Sequence, residues 1–211
     1  MNLSSITKKL QNRSPSILGQ DELQKSAILL PLIQVDNETH ILFEVRSMKM
    51  RRQPGDICFP GGKIDKADKT PKHAAIRETT EELGIDESAI GDVIPLDYIV
   101  HDAGRMIYPF IGTLKNVEKI TPSEAEVEEI FTVPLDYFLR TKPDIHKVDI
   151  KIEPDKDFPF DLIVGGKNYN WHARQIDEIF YKYDGKVIWG LTAKILRHFL
   201  SLLDKDNNDI K

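Results

Sequence analysis

Runs of apolar, β-branched residues predict strands along the chain. They cover residues 26–34, 39–47, 92–101, 106–114 and 146–152. The first two runs, SAILLPLIQ and THILFEVRS, are separated by VDNE. Because Asp and Asn favour turns, we expect these two runs to form a β-hairpin. The third and fourth runs flank a polar bend at Asp102–Arg105.

Two longer segments carry helix signals. TPKHAAIRETTEEL (residues 70–83) has Thr70 as an N-cap, Pro71 at the first helical position and Gly84 just past its end. IWGLTAKILRHFLSLL (residues 188–203) repeats apolar side chains every three or four positions, which predicts a helix packed on the core. A shorter helix is expected either in PSEAEVEEIF or in PLDYFLR.

The succession of strands and helices indicates a mixed α/β protein. The sequence contains no internal repeat and no low-complexity linker, so we expect a single domain over residues 1–211. An arm or helix at about residues 1–20 and a frayed polar tail at about 204–211 are expected to flank its core.

Charge and composition narrow the function. The net charge of −5 and the pI near 5.7 disfavour a nucleic-acid partner, because such binding depends on neutralising phosphates with Lys and Arg. Cys58 is the only cysteine, which excludes an intrachain disulfide. No signal peptide and no run of about 18 apolar residues is present. We therefore expect a cytoplasmic protein with a small-molecule substrate and no membrane partner; a homodimer is left open.

The first predicted helix concentrates carboxylates on one face. Glu78, Glu81 and Glu82 fall within an arc of about 100°. Like charges at these spacings repel, and Arg77 compensates only part of that repulsion. Hard divalent cations such as Mg²⁺ prefer carboxylate and carbonyl oxygens and bridge readily to phosphate. A metal bound to a diphosphate is one interpretation, and a solvated acidic face is the other.

The order of residues around this helix resembles the Nudix box, Gly-x5-Glu-x7-Arg-Glu-U-x-Glu-Glu-x-Gly-U, where U is aliphatic. The match begins at Gly62 and ends in RETTEELGI at residues 77–85. It departs from the box in three ways: Asp68 replaces the first Glu, the following spacer is one residue longer, and Thr79 stands at an aliphatic position. The longer spacer leaves the role of Asp68 open.

The segment before the box resembles the coenzyme A diphosphatase branch of the Nudix hydrolases. RSMKMRRQPGDICFPGG, residues 46–62, is similar to the pattern Arg-Ser-x3-Arg-x3-Gly-x3-Phe-Pro-Gly-Gly of that branch. The resemblance implies a Nudix fold, an α/β/α sandwich with a mixed β-sheet and the box as loop-helix-loop. It also implies hydrolysis of the diphosphate of coenzyme A, or of its acyl or oxidised derivatives, to 3′,5′-ADP and (acyl-)phosphopantetheine.

The same resemblance implies roles for individual residues. Glu78 and Glu82 would be the main ligands of Mg²⁺ or Mn²⁺, with Glu81 contributing and a loop carbonyl at Gly61 or Gly62 completing the shell. Nudix chemistry uses an attacking water, whose general base would be either Glu81 or Glu126.

Two groups of arginines have expected roles beside the glutamates. Arg77 would orient a glutamate, and an ordinary surface ion pair is equally compatible with its position. Arg46 or Arg51, in a basic patch with Lys49 and Arg52, would bind a substrate phosphate, since Arg suits phosphate through forked hydrogen bonds. A patch that only offsets the acidic helix is the alternative.

Two other functions stay open. The first is cleavage of ADP-ribose, NADH or another dinucleotide, although the proline that several ADP-ribose-cleaving relatives place about sixteen residues past the box is missing from residues 98–106. The second is a non-catalytic Nudix module that binds a nucleotide. Such modules commonly lose box glutamates, and this chain keeps all three.

Overall fold

The computed structural model describes residues 2–101, 104–115, 117–171 and 174–206. Part of the predicted bend, Asp102 and Ala103, and residues 207–211 of the predicted tail lie outside the described residues. In chain order the helices and strands are α1 (Leu3–Leu10), β1 (Gln24–Val35), β2 (Glu38–Arg46), β3 (Ile57–Cys58), β4 (Gly61–Lys63), α2 (Pro71–Leu83), β5 (Ile90–Pro95), β6 (Ile99–His101), β7 (Arg105–Leu114), β8 (Val127–Pro134), α3 (Leu135–Arg140), β9 (Asp144–Ile150), β10 (Arg174–Tyr183), β11 (Lys186–Trp189) and α4 (Gly190–Asp206).

The predicted hairpin is present. Strands β1 and β2 pair antiparallel from Val35 and Glu38 outward. The two residues between them, Asp36 and Asn37, both have positive φ, 48° and 66°. This left-handed pair matches the right-handed twist of the flanking strands, which is why Asp and Asn occur there.

The main sheet is mixed. Its central order is β3-β2-β1-β7-β5, with β4 on β1, β6 on β7 and β8 on β2. Strands β1 and β7 run parallel, whereas the other pairs are antiparallel. Strand β1 has neighbours on both edges, and its Ala27, Leu29 and Leu30 are fully buried. A strand covered on both faces needs such a continuous apolar run.

Helices cover both faces of this sheet. Alternate residues of β2 point in opposite directions, so Leu42 packs in the apolar cluster that includes α2, whereas Phe43 packs in the cluster that includes α3 and α4. This arrangement confirms the expected α/β/α sandwich with a mixed sheet. The predicted helix at residues 70–83 is confirmed as α2. The predicted helix at residues 188–203 is confirmed as α4 from Gly190 onward, but the prediction was wrong for Ile188 and Trp189, which lie in β11.

A second, three-stranded sheet has the order β11-β10-β9. Sequence patterns predicted only β9 of these strands. Apolar residues of β10 and β11, including Ile179, Tyr181 and Ile188, join the cluster beneath α4. On the outer side Trp189 stacks on Phe180 with ring centroids 5.8 Å apart, and 44% of Trp189 stays exposed.

The other predicted elements are found with changed bounds or with one of the expected alternatives. The run at residues 92–101 is divided between β5 and β6, and the break follows Pro95, which has no N–H to continue a ladder. Of the two places expected for the short helix, residues 135–140 are correct, while residues 127–131 lie in β8. In the N-terminal arm, α1 contains no buried residue. None of the helices in the described residues is both long and apolar enough to cross a membrane.

Candidate active site

Helix α2 begins and ends where its sequence signals indicate. The Thr70 hydroxyl accepts a hydrogen bond from the His73 N–H at 3.1 Å, as an N-cap does. At the other end Gly84 is left-handed, with φ 60°, and a Cβ there would lie 2.0 Å from the Thr121 carbonyl oxygen. Glycine is required at this position both by its φ and by the close approach of residue 121.

The chain after Thr121 is fastened to the end of α2. The Thr121 N–H donates to the Leu83 carbonyl at 3.0 Å, and the Ser123 N–H donates to the Glu82 carbonyl at 2.9 Å. These bonds satisfy carbonyls that the helix end leaves without a partner. They also bring the segment that carries Glu126 beside the acidic helix.

The Gly61-Gly62 loop lies against the glutamates. The Gly61 N–H donates to Glu82 Oε2 at 2.7 Å. A Cβ on Gly62 would lie 2.5 Å from the carboxyl carbon of Glu78. Because β4 pairs with β1, with Ala27 opposite Gly62, the loop backbone is held there by the main sheet. Only glycine leaves room for the Glu78 carboxylate at this distance.

The three box glutamates differ in exposure. Glu82 is 6% exposed, and the side chains of Glu78 and Glu81 are 18% and 56% exposed. Burial raises the pKa of Glu82 to about 8; its hydrogen bond from Gly61 opposes this, and the charges of Glu78 and Glu126 add to it. Burial also raises the pKa of Glu78. Two crowded, poorly solvated carboxylates of this kind are stabilised by a cation.

Arg77 joins most of the acidic groups around the box. Its guanidinium donates to Glu78 Oε1 at 2.9 Å, to Glu81 Oε2 at 3.0 Å and to both oxygens of Asp68 at 3.1 and 3.0 Å. It also reaches the Lys63 carbonyl at 3.2 Å. The guanidinium therefore fixes the orientation of two box glutamates and ties the loop to the helix.

Asp68, whose role the sequence left open, anchors this arginine. Hydrogen bonds from Arg77 hold the pKa of Asp68 well below its usual range, and His73 adds a further contact at 3.0 Å. The longer spacer still allows the carboxylate to form a forked pair with Arg77. Asp68 thus contacts the site through Arg77, whose same terminal nitrogen also donates to Glu78.

Glu126 lies in the segment fastened to α2. Its carbonyl accepts the Ser47 N–H at 2.8 Å, so the backbone here also contacts the end of the basic segment. Its charge raises the pKa of both Glu78 and Glu82. The side chain is exposed, and none of the hydrogen bonds and ion pairs found among the described residues involves it.

The predicted phosphate-binding arginines occupy different environments. Arg46 is half-buried; its Nε donates to the Arg52 carbonyl at 3.4 Å, and its charge lowers the pKa of Glu82. Arg51 is exposed at a bend between β2 and β3, and in the described part of the chain it forms no ion pair. Backbone hydrogen bonds between Arg46 and Asp56, and between Gly55 and Arg46, hold the base of this loop.

One carboxylate beside the site was missed from the sequence. Glu44, in the middle of β2, is 1% exposed, and its Oε1 has no hydrogen-bond partner in the described structure. Its Oε2 lies 4.0 Å from the Cys58 sulfur. Burial, followed by the charge of Glu82, raises the pKa of Glu44 well above its ordinary value. A charged residue interrupting the apolar run THILFEV was the available signal.

The donors at this site fit a hard divalent cation in their chemistry. Carboxylate oxygens and a glycine-loop backbone are its preferred ligands. As the side chains are placed, no three His, Cys, Asp or Glu residues within the described ranges form a grouped ligand set. The unpartnered Oε1 of Glu44 and the burial of Glu82 leave acidity that a bound cation would neutralise.

Comparison with known proteins places this site in a family. A mouse protein named peroxisomal coenzyme A diphosphatase NUDT7 is 39% identical over 115 residues, which cover 54% of this chain and 49% of the relative. The human protein named mitochondrial coenzyme A diphosphatase NUDT8 is 32% identical over 186 residues, covering 84% of this chain and 69% of the relative.

Structural similarity supports the same fold. A MutT/nudix family protein from Enterococcus faecalis superposes with a TM-score of 0.50 at 13% identity, covering 97% of this chain and 70% of that protein. The model of the NUDIX domain matches residues 24–155, a span that contains β1, the glycine loop, α2 and Glu126. The chain therefore belongs to the Nudix hydrolase family, as its box residues indicated, and its enzyme class is that of a diphosphohydrolase.

Proposed function

We propose that this protein hydrolyses the diphosphate bond of coenzyme A, or of an acyl or oxidised derivative, to 3′,5′-ADP and (acyl-)phosphopantetheine with Mg²⁺ or Mn²⁺. The observation that carries the proposal is the placement of Glu78 and Glu82 against the Gly61-Gly62 loop, directly after the arginine-rich segment. The names of the mouse and human relatives support this choice of substrate.

In this proposal Glu78 and Glu82 hold the cation, together with a backbone carbonyl of the glycine loop. When bound, the cation offsets the charge of the diphosphate and makes a nearby water more acidic. Arg77 keeps Glu78 and Glu81 in fixed rotamers, because it donates to both from one planar group. Positioning of this kind accounts for a large part of the rate enhancement in phosphoryl chemistry.

Glu126 is our choice for the general base. A base must be able to accept a proton at the water, and Glu81 already accepts a hydrogen bond from Arg77 at 3.0 Å. Glu126 is held near the box by the Ser123–Glu82 bond, and its charge acts on both buried glutamates. Glu81→Gln and Glu126→Gln distinguish the two candidates: the variant that loses both most of kcat and the acidic limb of the pH–rate profile, where the base becomes protonated, identifies the base.

Arg51 is proposed to bind a substrate phosphate and Arg46 to face the diphosphate. Arg51 is exposed, while Arg46 lies close enough to Glu82 to lower its pKa. We expect Arg51→Ala to raise the KM for coenzyme A about tenfold, an amount typical of a charged hydrogen bond of about 1.5 kcal/mol. Arg140→Ala, at an exposed ion pair on α3, is the matched control. An unchanged KM in Arg51→Ala rules out this role.

The test of the whole proposal is a substrate comparison. Purified protein is incubated with coenzyme A, ADP-ribose and NADH, each with Mg²⁺ or Mn²⁺, and the products are separated by chromatography with Glu82→Gln in parallel. The proposal is supported if the wild type forms 3′,5′-ADP from coenzyme A far faster than AMP from the other two substrates, and Glu82→Gln forms neither. Cleavage of ADP-ribose alone shows a dinucleotide diphosphatase, and no cleavage shows a binding module.

The remaining expectations are part of this proposal. The cytoplasm stays our predicted compartment, although the mouse and human relatives are named peroxisomal and mitochondrial. Fractionation of cells that express the tagged full chain tests it. We also predict a single domain over residues 1–211 and no nucleic-acid partner. A homodimer is left open.

A further inference from the structure

The side chain of Glu44 enters the α2 face of the main sheet. Leu42, two residues earlier on β2, packs with Ala75 and Leu83 of α2, and residues two apart on a strand share a face. Cys58 is the direct neighbour of Glu44 on β3. The carboxylate therefore lies between the sheet and the acidic helix, where Glu82 is the charge that affects it most.

This carboxylate has only weak compensation in the described structure. Oε1 has no hydrogen-bond partner, and Oε2 has only the Cys58 thiol at 4.0 Å, which is a weak donor. The positive charge of Arg46 acts on it, but the two form no ion pair among the described residues, and Arg46 Nε donates to the Arg52 carbonyl. A carboxylate that is 1% exposed and unpartnered is costly, so a compensating group is expected.

We propose that Glu44 is a further oxygen ligand of the divalent cation, supplied from the strand beneath the box helix. This inference rests on the proposed metal-dependent function and adds a residue that lies outside the box. Glu82 from the helix and Glu44 from the sheet would hold the cation, together with a backbone carbonyl of the glycine loop. Carboxylates from several elements are a common way to bind Mg²⁺ or Mn²⁺.

Mn²⁺ binding to the full chain without coenzyme A tests the proposal. The electron paramagnetic resonance signal of free Mn²⁺ is titrated with wild type, Glu44→Gln, Glu44→Met and Glu38→Gln. Glu38 is an exposed glutamate on the same strand, so Glu38→Gln should bind like the wild type. We expect about tenfold weaker binding for Gln, which keeps one oxygen, and about a hundredfold for Met, which keeps none.

Three other binding results count against Glu44 as a ligand. Unchanged affinity in both variants shows a structural carboxyl, and equal losses show that only its charge acts at a distance. A wild type that binds no Mn²⁺ also overturns the proposal. A wild type that binds Mn²⁺ but does not cleave coenzyme A refutes the proposed substrate alone. Melting curves check that each variant is folded. Because Met has a volume similar to that of Glu and needs no buried hydrogen-bond partner, Glu44→Met tests the proposed ligand if Glu44→Gln is unstable.

Discussion

Helices α2 and α4 cover opposite faces of one sheet, and they bury different types of side chain. The buried positions of α4 are almost entirely apolar and include Ala193, Leu196 and Phe199. Those of α2 include Thr79 and Glu82. The α2 face therefore combines an apolar cluster with a buried carboxylate, whereas the buried α4 face is almost entirely apolar.

Thr79 illustrates how the polar face is tolerated. It is fully buried at a position where the Nudix box usually has an aliphatic residue, and its hydroxyl donates to the Ala75 carbonyl at 2.7 Å. Its polar group is therefore satisfied within the helix. Glu82, by contrast, accepts one backbone hydrogen bond and keeps a strongly raised pKa. This difference supports the proposed role of Glu82 as a metal ligand.

The largest expected effect on activity comes from replacing the carboxylate of Glu82. Glu82→Gln should lower kcat by about 10³-fold, the upper range for losing one electrostatic contact to a transition state. Glu87→Gln, on the exposed turn after α2, should leave kcat within twofold. The kcat of both variants is measured from initial rates with the substrate that the chromatographic comparison identifies. A Glu82→Gln enzyme with nearly full activity would contradict the site.

A mutation that creates a cavity on the α4 face should lower the stability of the protein and leave its catalytic rate unchanged. Leu196 is fully buried in the α4 cluster, so Leu196→Ala should lower the free energy of unfolding by about 2–5 kcal/mol. Urea titration measures this, with the half-exposed Leu139→Ala as control. The kcat at low temperature, where the variant stays folded, should be unchanged; a parallel loss of activity would show that the two faces are coupled.

The pH dependence of stability should be opposite to that of an ordinary paired carboxylate, which loses stability as the pH falls. The pKa of Glu82 is about 8 in the folded state, against its ordinary value of 4.5. Between these values the folded protein keeps a proton that the unfolded chain releases, so metal-free stability falls as pH rises from about 5 to 8. We expect a loss of roughly 3–4 kcal/mol over this pH range, since each pKa unit corresponds to about 1.4 kcal/mol. Calorimetry should show a flatter profile for Glu82→Gln and for wild type with Mg²⁺.

The smallest effect is expected away from both faces. Asp136 and Arg140 form an exposed i,i+4 pair on α3. Asp136→Asn should change the unfolding free energy by no more than about 0.5 kcal/mol, because water screens such pairs. It serves as the baseline for the other melts, and a change above 1 kcal/mol would show that the surface of α3 contributes more than exposed pairs normally do.

Much of the site was predictable because its signals are local. The cap at Thr70, the terminating Gly84 and the glutamate spacing depend on neighbouring residues, and the structure confirms the helix they define. The glycine loop could be recognised for the same reason. Strands β10 and β11 were missed, since β10 mixes exposed, half-buried and buried positions without the strict alternation that marks a strand.

The family, the two ends of the acidic helix and the hairpin could be predicted from the sequence, because caps, turns and short motifs act over a few residues. Which carboxylates are buried depends instead on contacts between strands that are far apart in the chain. Pairing of β4 with β1 places the loop on Glu82, and pairing of β2 with β3 and β8 buries Glu44 beside it. Burial and the resulting pKa shifts arise from contacts between distant residues, so no local pattern encodes them.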